Sequence, residues 1–157
     1  MKHNASSQKT RSAVDTIIYE YKMFSFASAE VIRLQKGPRK TRSARGRWNL
    51  ALEGALLHAR NLRDFFTGTN RNDDDDIAAR DFLGIQPRWR LTKLRSLAVR
   101  TRLNKKLAHP TYSRSRYTGS WPVSLFRDEI NGAWELFLAR LDSNRPDLRQ
   151  LFTVKGF

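Results

Sequence analysis

The stretch Leu52-Glu53-Gly54-Ala55-Leu56-Leu57-His58-Ala59-Arg60-Asn61-Leu62-Arg63-Asp64-Phe65-Phe66 decides the fold class. Leu52, Ala55, Leu56, Ala59, Leu62 and Phe66 recur at the three- and four-residue spacing of one face of an α-helix. Ala51, Leu57 and Phe65 widen that face, so a helix from about Trp48 to Phe66 is expected at the centre of the molecule, against more than one neighbour. Gly68 is placed to end it.

Three further stretches carry the same periodicity, and none reads as a strand. From about Arg11 to Gln35 the inward set is Val14, Ile17, Ile18, Tyr21, Phe24, Ser28, Val31 and Ile32, ended by Gly37-Pro38. From about Leu91 to Ala108 it is Leu94, Leu97, Ala98, Thr101, Asn104, Leu107 and Ala108, stopped by Pro110. After Trp121-Pro122 it is Val123, Phe126, Ile130, Ala133, Trp134, Phe137, Leu138 and Leu141. The expected fold is all-α, an antiparallel four-helix bundle with a short extra helix at 77–83 in the second connection. Pro146 to Phe157 is expected to add one more turn. Residues 1–10 read as a flexible N-terminal tail and 11–157 as a single domain, as befits 157 residues of which 39% are hydrophobic.

Composition narrows the function. The absence of cysteine excludes disulfides, zinc–thiolate centres, iron–sulfur clusters and thiol nucleophiles. No apolar run has membrane-spanning length and the N-terminus lacks the pattern of a secretory signal, so a cytoplasmic protein without a membrane partner is expected. No cofactor or metal is expected, since no His, Asp or Glu spacing suits a metal and no glycine-rich phosphate loop is present.

Charge is the outlier. Thirty Lys and Arg against fifteen Asp and Glu give +15, a balance that favours polyanionic partners. Residues 87–121 hold ten basic side chains and no acid, while residues 48–86 sum to −3. Arg39, Lys40 and Arg42 belong to a basic stretch, 36–47, that reads as a loop suited either to phosphate contact or simply to solvent. Asp73 to Asp76 precede the short helix, where carboxylates favour the positive helix end and one is expected as its N-cap.

Two histidines lie within the helical pattern. His58 points toward the interior or its margin, where a hydrogen-bonded histidine is the simplest reading. We expect His58 and Asn104 to lie where the second and third long helices meet, one of them bonded to a backbone carbonyl or to the other. His109 ends the third helix, seven residues after Arg102, so the two share a face with Cα atoms about 10 Å apart. That span suits a phosphodiester, with Arg95, Arg100, Lys105 and Lys106 on or beside the same face and Arg114 and Arg116 just beyond. The simpler alternative is a helix-terminal histidine bonding a free carbonyl.

Arg102-x6-His109, late in a helix of a small cysteine-free bundle, resembles the Arg-x4–6-His signature of the HEPN superfamily. The stretches 57–66, 75–83 and 103–112, the last ending in Tyr112, also resemble a group of uncharacterised bacterial proteins. The superfamily resemblance implies a four-helix bundle, a homodimer, and a metal-independent ribonuclease site with Arg102 and His109 as the catalytic pair; Asn104, His58 and Tyr112 are its expected supports. The function expected is RNA binding, with endoribonuclease activity as its catalytic form. The alternative is a non-catalytic helical module that binds nucleic acid or protein.

Overall fold

A computed structural model of the chain describes residues 2–37, 41–68, 76–85, 87–107, 120–154 and 156, with the side chains of 2–7 and 104–107 outside the description. Six helices occur among the described residues: α1 (Lys2–Gln35), α2 (Arg42–Thr67), α3 (Ala79–Leu83), α4 (Leu97–Leu107), α5 (Val123–Asn144) and α6 (Pro146–Val154). They contain no strand. The all-α helical bundle is therefore the fold, with α3 in the second connection and α6 as the C-terminal addition.

Helix ends follow local chemistry. Thr41, in extended conformation, accepts the Ala44 N–H on its hydroxyl at 3.1 Å and starts α2. The helix consequently begins six residues before Trp48, and Arg42, Arg45 and Arg47 stand exposed in its first turns rather than in a loop. Gly68 ends α2 at φ 60°, a left-handed angle at which any side chain is strained, and its N–H donates to the Asp64 carbonyl at 2.8 Å. At α3 the N-cap is Ala78 rather than an aspartate of the preceding run, and Asp81 in the first turn accepts the Ala78 N–H on its carboxylate at 3.0 Å. Of the preceding acidic run, Asp76 is exposed and Asp73 to Asp75 lie outside the described residues. α1 already runs at Lys2, through the segment expected as a tail, and Thr10 is buried.

α1 and α2 form an antiparallel hairpin, since a later residue of α1 meets an earlier residue of α2, while α4 packs on α2. Glu20 meets His58 and Ala27 meets Gly54 across α1 and α2. Leu94 meets Glu129 and Arg102 meets Trp121 across the chain leading into α4 and α5. Among the described helices the α1–α2 contact is the most extensive, and α5 rests on α1, α2, α3 and α6.

The core is aromatic. Phe137 of α5 lies at its hub, fully buried, with the rings of Phe65, Phe66, Phe82, Trp134 and Phe152 at 5.3–6.5 Å. Edge-to-face pairing of this kind adds to the burial of each ring. Tyr21 stacks on Trp134 at 4.2 Å and its hydroxyl donates to Asn131 Oδ1. Burial raises the pKa of that hydroxyl. The inward sets expected for α1 and α5 are buried or half-buried throughout. In α2 the exception is Leu57, which is 45% exposed and does not widen the buried face.

The third long helix departs most from the sequence reading. Residues 92–95 form turns and α4 begins only at Leu97. Starting six residues later changes the register: Leu97 is 77% exposed, Ala98 and Thr101 are exposed too, and Val99 and Leu103 face inward. Leu91 and Leu94 are buried from the turns instead. The cause is Glu129 of α5, whose two carboxylate oxygens accept the N–H groups of Lys93 and Leu94 at 2.7 and 3.0 Å. That contact gives the turn's amides strong partners outside a helix.

Candidate nucleic-acid interface

Residues 87–103 segregate their side chains by chemistry. Trp89, Leu91, Leu94, Val99 and Leu103 are buried, while Arg88, Arg90, Lys93, Arg95 and Arg100 are exposed. The buried members anchor the segment; Trp89, for one, packs on Phe66 at 4.8 Å. Each exposed basic residue is thus carried on a fixed backbone beside a buried neighbour. Beside them a groove of about 560 Å³ opens between Arg88 and Arg90 on one side and Asp128, Gly132 and Leu136 of α5 on the other.

Arg102 is placed differently from its exposed neighbours. Its guanidinium carbon lies 4.3 Å from the centre of the Trp121 ring, and Nη2 donates to the Ser120 carbonyl at 3.3 Å. Desolvation lowers its pKa, but the group remains a cation at neutral pH. The stacking ties α4 to the entry of α5 and fixes the guanidinium plane. Each partner is visible in the sequence separately; their meeting depends on where the entry of α5 lies against α4.

His58 is buried, and its bond runs to α1. Nδ1 stands 2.7 Å from Glu20 Oε2, which also accepts from Asn61 Nδ2 at 3.0 Å. An ionised carboxylate can only accept, so Nδ1 carries the hydrogen of this pair. The Tyr19 ring meets the imidazole edge-on at 5.8 Å. The expectation is corrected for His58, whose Nδ1 bonds Glu20 of α1 rather than a backbone carbonyl; the Asn104 side chain lies outside the described residues. Chemically, carboxylate, imidazole and amide form a polar clasp between α1 and α2. Glu20 was missed by the sequence reading, although an acid between Ile17 and Phe24 on a largely buried face is a signal that a partner waits opposite.

Of the other expected site residues, Arg95, Arg100 and Arg42 are exposed. Arg39, Lys40, His109, Tyr112, Arg114 and Arg116 lie outside the described residues, as do the side chains of Asn104, Lys105 and Lys106. Among the described residues no three His, Asp or Glu side chains group as a metal site requires. None of the helices searched among them is long and apolar enough to cross a membrane. No protein-family model, curated protein or solved structure matches the chain.

Proposed function

We propose that this protein binds RNA through the basic face of residues 88–102, extended by the arginines that open α2. The observation that carries the reading is the segregation in 87–103: five exposed cations on a backbone pinned by five buried apolar side chains, in a stretch of the sequence without an acid. Phosphates reward such a face because each contact releases condensed counterions. The reading includes a second copy of the chain as partner, which doubles the number of such faces.

In the catalytic form of this reading, the ribose 2′-oxygen attacks the adjacent phosphorus and the 5′-oxygen leaves. His109 takes or supplies the proton, a role worth roughly 10²–10⁴-fold, and basic side chains offset the charge on the phosphate. The non-catalytic binding module is favoured by one specific observation: Arg102 is stacked on Trp121 and bonded to Ser120, commitments that suit a structural clasp.

The test is fluorescence anisotropy with a labelled RNA oligonucleotide across a salt series. Wild type should lose affinity steeply with salt, and a variant with Arg88, Arg90, Arg95 and Arg100 all changed to Ala should show a slope shallower by about three units. Equal slopes in the two proteins would refute this face. Cleavage is then read with EDTA present, comparing wild type with His109→Ala. Products ending in 2′,3′-cyclic phosphate, lost in the variant, support the catalytic form; equal cleavage refutes it.

A further inference from the structure

The outer face of the α1–α2 hairpin carries an apolar strip that the fold leaves uncovered. Tyr19 is 54% exposed, Phe26 70%, Leu50 74% and Leu57 45%. Tyr19 and Phe26 are seven residues apart on α1, and Leu50 and Leu57 seven apart on α2, so each pair forms one stripe. Both stripes point away from the core. Tyr19 and Phe26 come two residues after buried Ile17 and Phe24, and Leu50 and Leu57 two before buried Leu52 and Ala59, a rotation of about 200° in each helix.

The stripes are also staggered. With Ala27 beside Gly54 and Glu20 beside His58 and Asn61, Leu57 falls near the level of residue 23 and Leu50 near that of residue 30. Along the hairpin the order is therefore Tyr19, Leu57, Phe26, Leu50, alternating between the helices. A two-fold axis parallel to the hairpin lays the aromatic stripe of each copy over the leucine stripe of the other. Each Phe26 then enters the gap between Leu57 and Leu50, and the face is complementary to itself.

Charge and area agree with that occupant. Residues 12–34 and 48–66 together hold five acidic and four basic side chains, in a chain of net charge +15. Two strongly cationic copies thus meet on a nearly neutral surface. The four side chains expose roughly 400 Å² per copy, within the ~300–600 Å² of the largest apolar patch on a typical monomer, which is often functional. With the flanking residues counted, a two-fold pair approaches the ~1,000 Å² of a specific interface.

We infer that the outer α1–α2 face is a homodimer interface centred on Tyr19, Phe26, Leu50 and Leu57. It rests on the function proposed above only for the expectation of a second copy, and the basic face of 88–102 lies on a different segment, open in both protomers.

The experiment is light scattering coupled to size exclusion, on wild type, Phe26→Glu, Leu50→Glu and, as a charge control away from the strip, Leu97→Glu. Wild type and the control should run at twice 18.3 kDa. Each strip variant should keep its helical circular dichroism and raise the dimer dissociation constant at least ~100-fold. Leu50→Glu decides the matter where Phe26→Glu fails to fold, because Leu50 is the more exposed of the two. A monomeric wild type overturns the inference and the expectation of a second copy, while leaving RNA binding to its own test. A dimer that survives both strip substitutions overturns the inference alone, since the interface is then elsewhere.

Discussion

The Glu20–His58 clasp should behave as a coupled pair, and a double-substitution cycle measures the coupling. Glu20→Leu removes the acceptor shared by His58 Nδ1 and Asn61 Nδ2. His58 is buried, so its N–H loses its partner where water does not readily replace it; Asn61 is half-buried and reaches solvent more easily. A stranded donor costs about 1–3 kcal/mol, and the amide adds a fraction of that, so the loss should be about 2–4 kcal/mol. His58→Leu strands the carboxylate instead, but Glu20 keeps Asn61 as a donor, and about 1–3 kcal/mol is expected. The double variant Glu20→Leu/His58→Leu removes both polar groups and sets two aliphatic side chains against each other between α1 and α2. It should fall within about 1 kcal/mol of wild type. The interaction energy, the two single losses less that of the double variant, is then about 2–7 kcal/mol. Urea unfolding followed by far-UV circular dichroism, at one fixed protein concentration, supplies all four free energies. If the two single losses add in the double variant to within 0.5 kcal/mol, the clasp is not a coupled pair and this reasoning is refuted.

Other expectations follow from the same packing. Phe137→Ala removes the hub of the aromatic cluster and should cost about 3–5 kcal/mol in the same unfolding assay; a loss under about 2 kcal/mol would mean the surrounding rings close the gap. Arg102→Ala should cost about 1–2 kcal/mol through the lost Trp121 stacking and Ser120 bond and should alter tryptophan emission, with Arg102→Lys intermediate because an ammonium cannot stack as a plane. Asp147 has its pKa lowered chiefly by the hydrogen bond from Arg145, so its contribution to stability is present above the ordinary carboxylate range and is lost as pH falls through the lowered native value. The small gap in melting temperature between wild type and Asp147→Asn at pH 6 should accordingly close in strong acid; a gap independent of pH would sink that account.

What the sequence determined by itself is the helical class, the inward faces of α1 and α5, most of that of α2, and the stop at Gly68. Burial on a helix repeats with the turn, so a stripe of apolar residues reports its own orientation without reference to any neighbour. The basic character of 87–121 was legible for the same reason, because charge is counted residue by residue. The register of α4 was not, since Glu129, far along the chain, takes the Lys93 and Leu94 amides and holds residues 92–95 in turns. Nor were the partners of His58 and Arg102, because a polar side chain's mate depends on which helices adjoin and at what level. Leu57 makes the point within one helix: its sequence places it at the edge of an apolar stripe, and only the position of α1 leaves it facing outward. Local periodicity fixes which side of a helix is buried; the neighbours brought by the tertiary fold decide what each edge residue meets.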